Sequence, residues 1–243
     1  MLYETLGPTR RAQLHRQVGT RLESGYGARA GEIAAQLALH FERGGEVARA
    51  VRFLQQASDN AIQRHAYHEA VATLTKGLAL LATLPESPTR AQHELTLLLL
   101  LGPRLMAAQG YAVPAVGESY TRALTLAQQV GEAPQHGQAL QGLARFQLLR
   151  AQVRRADALC QQCVQLASDQ PDPTLAHEAA LDLGLIAFYR GDPVTARAQL
   201  AHRRRRGDTP PPLAPLLLPP EVVSGVRHSF YGAMVLWVLG YAD

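Results

Sequence analysis

Apolar side chains recur every three or four residues along most of the chain, and short clusters of turn-forming residues interrupt this pattern roughly every 20 residues. The three-to-four spacing places the apolar groups on one side of a helix. One helix and one turn fill each interval, so two helices fill about 40 residues. We therefore predict an all-α protein built from successive helix pairs. The predicted turns lie at Gly44-Gly45, Arg64-His65, 85–88, 110–114, 131–134, Ala151, 171–173 and 191–193.

The clearest predicted pair lies in residues 179–200, which read AALDLGLIAFYRGDPVTARAQL. Gly191 ends its first helix, and Asp192-Pro193 begins the second, because an aspartate caps free N–H groups and a proline fits the first helical position. Ser87-Pro88 and Asp172-Pro173 repeat that start. Such a pair cannot bury its apolar face alone, so each pair predicts neighbours.

Small and large apolar residues follow one another in a set order along these pairs. In residues 179–200 the order is Leu183-Gly184, then Gly191, then Ala196 and Leu200. This order resembles the signature of the tetratricopeptide repeat. Residues 37–57 and 143–163 carry related spacings. The resemblance implies a right-handed α-solenoid of antiparallel helix pairs. The period of about 40 residues is longer than that of the consensus repeat and implies longer helices.

The sequence divides into four parts. Residues 1–30 predict a basic N-terminal helix, with Leu14, Val18 and Leu22 on its apolar face, followed by a flexible glycine-rich break. Tetratricopeptide-like helical repeats fill residues 31–200. An arginine- and proline-rich segment, 201–228, predicts irregular structure, because six prolines between 210 and 220 exclude a continuing helix. It is either a polar linker or a compensated frameshift, and residues 229–243 predict a truncated further repeat helix.

Composition and charge narrow the class of protein. A hydrophobic content of 47% supplies an ample core, and the formal net charge is +4. Lys76 is the only lysine among 24 basic residues, and the arginines are scattered among carboxylates, so we expect no nucleic-acid binding. We interpret the arginine run 203–206 as a solvated linker, although it could bind an anion or nucleic acid. Without a secretory signal or a membrane-length apolar run, the sequence predicts a cytoplasmic protein with no membrane association.

Candidate chemistry is sparse. The chain has no phosphate-binding G-x-x-x-x-G-K-[ST] loop and no G-x-S-x-G elbow. Cys160 and Cys163 form C-x-x-C within a helix, and we predict that both lie in the core rather than in a metal or redox site. His65 and His68 form H-x-x-H at a predicted turn, which favours solvated side chains over a metal site. We therefore predict no catalytic residue, no cofactor, no metal site and no enzyme activity.

The first helices of successive repeats line a concave surface in helical solenoids. Gln138, Gln141 and Arg145 recur every three or four residues on one such helix, away from its leucine face. Tyr189 takes a similar position in the next repeat. We predict that these four residues contact a protein partner; a solvated helix face is the alternative.

Longer stretches resemble a region of large bacterial signal-transduction ATPases of the AAA/STAND type, often fused to adenylate or guanylate cyclase domains. The stretches are residues 2–23, 32–61, 80–116 and 235–243. The resemblance implies a regulatory helical-repeat arm that follows the ATPase module. This chain contains neither the ATPase nor the cyclase, so it also resembles a fragment of such a protein.

Two functions follow from that resemblance. The first is a non-catalytic protein–protein interaction or regulatory module of a bacterial ATPase or cyclase system. The second is a ligand-sensing regulatory arm that acts with a separately encoded ATPase or nucleotide cyclase. A non-functional fragment is the remaining alternative. The sequence identifies neither the partner, the ligand nor the oligomeric state.

Overall fold

The computed structural model describes residues 7–130, 133–201 and 220–241. Within these ranges it contains eleven α-helices, one 3₁₀-helix and no β-strand. The all-α prediction is therefore confirmed. The helices are α1 (Pro8–Tyr26), a 3₁₀-helix (Gly27–Ile33), α2 (Ala34–Arg43), α3 (Val47–Gln63), α4 (Tyr67–Ala82), α5 (Pro88–Gln109), α6 (Pro114–Val130), α7 (Ala133–Leu149), α8 (Val153–Asp169), α9 (Pro173–Tyr189), α10 (Pro193–Ala201) and α11 (Pro220–Val238).

The chain divides into two compact units, Met1–Leu126 and Ala127–Asp243. In unit 1, each helix from α1 to α5 packs against the next one in the sequence. In unit 2, the same holds from α7 to α11, and α9 also contacts α7 and α11. Consecutive helices therefore cover each other's apolar faces, as the repeat pattern predicts.

One type of turn ends five of the helices. Its central residue has a positive φ, and the N–H of the next residue donates to a carbonyl five residues earlier, as Asp192 does to Ala187 at 3.0 Å. This hydrogen bond closes a helix C-terminus around a left-handed residue, where glycine is favoured because it has no Cβ. We call this central residue the left-handed residue of the turn. The left-handed residues are Gly45, His65, Ala151, Gly191 and Gly240.

Ala151 occupies this left-handed position with a φ of 57°, which strains a residue that carries a Cβ. We expect Ala151→Gly to raise the free energy of unfolding by about 0.5–1 kcal/mol, and Gly191→Ala to lower it by a similar amount. Urea denaturation followed by circular dichroism measures both changes. Ala158→Gly, at an exposed position within α8, should instead lower stability by about 1 kcal/mol. A loss of stability in Ala151→Gly as well would contradict the assigned turn.

The predicted helix starts are confirmed. Ser87 Oγ accepts a hydrogen bond from the Arg90 N–H at 3.2 Å. Asp172 Oδ1 accepts from the Thr174 and Leu175 N–H groups at 2.9 and 3.0 Å. Asp192 Oδ1 accepts from the Thr195 N–H at 3.0 Å, and hydrogen bonds from the side chain and then the backbone of Thr195 lower the pKa of the Asp192 carboxyl. In α5 and α9 the proline after the cap is the first helical residue.

A small residue followed four positions later by a larger one forms the packing face of the four helices that follow such a turn, α3, α4, α8 and α10. The small residue is a fully buried alanine, five positions after the left-handed residue. The larger residue is leucine or cysteine and is also buried. The pairs are Ala50 and Leu54, Ala70 and Leu74, Ala156 and Cys160, and Ala196 and Leu200.

Both cysteines lie in the core, as the sequence predicts. Burial raises the pKa of the Cys163 thiol to about 12, and burial also raises that of Cys160. A thiol with a raised pKa is a poor nucleophile and a poor metal ligand, because both roles require the thiolate. The C-x-x-C spacing here therefore serves packing.

The glycine-rich break is more ordered than we expected. Gly27–Ile33 forms a 3₁₀-helix. It begins at Gly27, whose positive φ of 52° ends α1. On α1, Val18 is exposed, whereas the neighbouring Gly19 is buried against the ring of Phe41. Leu22 of the predicted apolar face packs on the core of unit 1, and Leu14 is half-buried. Only Val18 departs from the prediction, because Gly19 lets the two helices approach closely.

Two further features fall within or near the segment 201–228. α11 begins at Pro220, inside the part that the prolines predicted to be irregular, because a proline at the start of a helix costs no hydrogen bond. The arginine run 203–206 lies outside the described residues. Elsewhere in the chain, Gly131 at the start of the predicted turn 131–134 also lies outside the described residues.

Candidate functional site

Four charged side chains meet on one face of unit 2. They come from α7 (Arg145), α9 (Glu178 and Asp182) and α11 (Arg227). Arg145 pairs with Glu178, and its Nε lies 3.3 Å from Asp182 Oδ2. Arg227 Nη2 lies 2.9 Å from Glu178 Oε2 and 3.2 Å from Asp182 Oδ1. We call these four residues the ion-pair cluster.

The ion-pair cluster is largely removed from water. Asp182 is 2% exposed, and its burial raises the pKa of the carboxyl even though Arg145 and Arg227 oppose that shift. Burial also lowers the pKa of Arg227. Two guanidinium groups and two carboxyl groups balance in formal charge, which limits the desolvation cost of burying them together.

Helical spacing brings the cluster together. Glu178 and Asp182 are four residues apart on α9, so both side chains project from one side of that helix. Tyr189 lies seven residues beyond Asp182 on the same side, and Tyr231 lies four residues beyond Arg227 on α11. Each aromatic residue thus continues a face that begins with a charged residue.

Tyr189 and Tyr231 form the second contact of this face. Their hydroxyl oxygens lie 3.0 Å apart, and their rings meet edge to face at 6.3 Å between centroids. The hydrogen bond with Tyr231 raises the pKa of Tyr189 to about 12. Tyr189 nevertheless remains 53% exposed, so most of its ring is accessible to a partner.

The structure separates the four predicted contact residues into two groups. Gln138 and Tyr189 are exposed, whereas Gln141 and Arg145 are half-buried. Gln141 Nε2 is buried and has no hydrogen-bond partner in the part of the chain that the structure describes. Arg145 is held within the ion-pair cluster. Partner contact by the four residues stays a prediction.

Sequence reasoning missed Glu178, Asp182, Arg227 and Tyr231. One signal was present: two carboxylates four residues apart in α9, a helix that is otherwise rich in apolar residues. An acidic pair in such a helix indicates a buried cationic partner. Arg227 gave no such signal, because residues 202–219 separate it from the repeats in sequence.

Other candidate chemistry is not assembled into a site. His65 lies in a turn with its Nδ1 3.4 Å from the Tyr67 hydroxyl, and His68 is exposed on α4. Across residues 7–130, 133–201 and 220–241, no three metal-ligating side chains of His, Cys, Asp or Glu converge. In the same ranges, no helix combines the length and apolar character needed to cross a membrane.

An open cleft lies beside the start of α9. Its lining is mainly apolar, with Gln170 and Asp172 as its polar residues. Asp172 also caps α9, so its carboxylate is engaged with backbone N–H groups. The apolar lining residues are Pro134, Leu166, Pro171, Pro173 and Leu175.

Comparisons with known proteins address the fold. The sequence matches no protein-family model and no curated protein sequence. Among solved structures, the chain is similar to BtubC (BKLC) from P. vanneervenii, with 16% sequence identity and a TM-score of 0.57. The match covers 88% of this chain and 99% of BtubC. At this low identity the comparison shows that the two proteins share an all-helical fold.

Proposed function

We propose that this chain is a non-catalytic protein-binding module of a bacterial signal-transduction ATPase or cyclase system. In this proposal its helix pairs are antiparallel tetratricopeptide-like repeats with a right-handed winding within each unit. The recurrent turn and the alanine–leucine packing faces support the repeat assignment. The resemblance in sequence to the arms of such ATPases supports the choice of system.

The single observation that carries the proposal is the composition of the face formed by α7, α9 and α11. The ion-pair cluster holds these three first helices together, and Gln138 and the exposed ring of Tyr189 lie on the same side. Tyrosine and arginine are enriched at the centres of protein interfaces, because they combine a large contact area with directed hydrogen bonds. A rigid helical face with these groups is suited to binding a protein segment.

Site-specific photo-crosslinking in bacterial cells tests this proposal. With p-benzoylphenylalanine in place of Gln138, we expect a discrete adduct with a protein that contains an ATPase or cyclase domain. The same probe in place of Tyr111, an exposed residue of unit 1, should not form that adduct. Identical adducts from both positions, or an adduct from neither, would overturn the proposal.

Tyr189→Ala provides a quantitative form of the same test. We expect it to weaken binding of the crosslinked partner at least about tenfold, because it removes the largest exposed ring on the face. Tyr111→Ala removes a tyrosine of similar exposure in unit 1 and should leave the affinity for the partner unchanged. Calorimetric titration measures both affinities, and circular dichroism confirms that both variants keep their helices.

A ligand-sensing arm is the second candidate, and the cleft beside α9 favours it. In that case a small apolar ligand would bind among Leu166, Leu175 and the three prolines. A separately encoded ATPase would then respond to the ligand only when this chain is present. Leu166→Arg would abolish that response, whereas Tyr189→Ala would leave it intact. The opposite pattern supports the interaction module.

A further inference from the structure

Two histidines from neighbouring helices of unit 1 contact each other. His15 lies on α1 and His40 on α2, and their Nδ1 atoms lie 3.1 Å apart. The ring centroids lie 5.2 Å apart, and the ring planes are tilted by 48°. Both side chains are half-buried. We call these two residues the histidine pair; they belong neither to the ion-pair cluster nor to the proposed binding face.

The contact between the two Nδ1 atoms limits how many protons the histidine pair can hold. A hydrogen bond between two ring nitrogens needs one N–H donor and one bare acceptor nitrogen. A neutral pair meets this condition, and so does a pair with one added proton, because that proton can bind the Nε2 atom of the donor ring. When both rings are charged, each Nδ1 carries a hydrogen, so two N–H groups face each other and the hydrogen bond is lost.

The surroundings of the histidine pair oppose the binding of protons. Burial lowers the pKa of His15 most, followed by the charges of His40 and Arg43. Burial, and then the charge of Arg43, lower the pKa of His40. Arg11 and Arg16 add two further positive groups to α1, one turn before His15 and directly after it in the sequence. A doubly charged pair would therefore lie in a positive environment.

The carboxylates of the helices packed around the histidine pair do not offset this charge. Glu23 of α1 pairs with Arg49 and Arg52 of α3, and Glu42 of α2 pairs with Lys76 of α4. Within residues 7–63, no carboxylate contributes to the pKa shift of either histidine. The carboxylates in this range are Glu23, Glu32, Glu42, Glu46 and Asp59.

Other contacts hold the second half of α1. Gly19 is buried against α2, and Glu23 pairs with Arg49 and Arg52. Burial raises the pKa of Glu23, but hydrogen bonds from the two arginines outweigh it and lower that pKa below its usual value. These ion pairs therefore persist in mild acid. Loss of the histidine pair weakens the hold on residues 8–18 and leaves the rest of α1 attached.

We propose that the histidine pair is a proton-sensitive clasp between α1 and α2, which opens in mild acid and releases residues 8–18 from α2. A released segment of this length does not keep a stable helix on its own. The clasp lies in unit 1, whereas the proposed binding face lies in unit 2. This proposal therefore does not rest on the proposed function, and the two can fail separately.

The direction of the pH effect follows from the histidines. Both have a pKa below the ordinary value of 6.5, so the folded chain binds fewer protons at these sites than the unfolded chain does. The stability that the clasp confers is complete above about pH 6.5 and falls as the pH drops below that value.

Hydrogen exchange of the full chain, followed by mass spectrometry, tests the clasp. The pH is lowered from about 7.5 to about 5, and the rates are corrected for the intrinsic effect of pH on exchange. The amides of residues 8–18 should lose at least about tenfold in protection. Residues 19–26 of α1 and the amides of α4 should keep theirs.

His15→Asn supplies a matched variant, because its amide is close to Nδ1 in position and does not titrate. A charged His40 can still donate to the amide oxygen, so the protection of residues 8–18 should change less than about twofold between the two pH values. His40→Asn should behave in the same way. His93→Asn, at a half-buried position of α5, should keep the full acid response. Circular dichroism checks that each variant keeps its helices.

The proposal is wrong if residues 8–18 keep their protection at about pH 5. It is also wrong if both variants of the histidine pair lose as much protection in acid as the unchanged chain. A loss that extends equally over α1 and α4 contradicts it as well, because that pattern indicates unfolding of unit 1 as a whole rather than release of one segment.

Discussion

Arg145→Met is expected to lower the free energy of unfolding by about 3 kcal/mol, because it leaves the buried Asp182 with one guanidinium instead of two. Methionine keeps much of the volume of the arginine stem, so the loss reports on charge rather than on a cavity. Circular dichroism at 222 nm follows the unfolding transition of this helical chain in urea. An exposed pair supplies the control: Arg64→Met, which removes the partner of Glu69, should cost less than about 1 kcal/mol.

The double variant Arg145→Met/Asp182→Leu should recover most of this loss. It removes one positive and one negative group and leaves Arg227 paired with Glu178 at 2.9 Å. Replacing a buried ion pair by apolar residues of similar volume is often neutral for stability, whereas breaking one is costly. If the losses in the free energy of unfolding caused by Arg145→Met and Asp182→Leu simply add up in the double variant, Arg145 and Asp182 do not act as a pair.

The ion-pair cluster also shows where sequence reasoning stops. The helix pairs and their turns could be predicted, because Gly191, Asp192 and Pro193 act on their own stretch of backbone through φ preferences and capping. The partners of Arg145 could not be predicted, because the two carboxylates of α9 lie more than thirty residues away from it in the sequence. Periodicity places a side chain on a face, but it does not determine which charges meet across helices.

Tertiary packing also overrides the local preferences of single residues. Gly102-Pro103 interrupts the leucine run of residues 95–101, yet α5 continues through both residues. A proline inside a helix removes one hydrogen bond, and the buried leucines before it supply the packing that holds the helix together. His65 likewise holds a left-handed conformation that its residue type disfavours, because the helices on either side fix the turn.

Gly102 carries the second large effect that we expect. A Cβ at this position would lie 2.6 Å from Tyr120 Cε2 and 2.7 Å from Tyr120 Oη, closer than side-chain atoms approach. The buried aromatic ring cannot move away as the end of a flexible side chain would, so α5 and α6 must separate locally. We therefore expect Gly102→Ala to lower the free energy of unfolding by about 2 kcal/mol, even though alanine is the better helix former.

A matched glycine in unit 1 separates packing from helix propensity. A Cβ at Gly25 in α1 would meet no atom within 4 Å, so Gly25→Ala should raise stability by about 0.5–1 kcal/mol. Urea denaturation followed by circular dichroism at 222 nm measures both variants. Tyr120→Leu should make Gly102→Ala less costly, because a smaller side chain leaves room for the added methyl group. A loss of stability in Gly102→Ala together with a gain in Gly25→Ala would show that the helices pack closely at Gly102. A gain in stability in both variants would show that α5 and α6 lie farther apart than this contact requires.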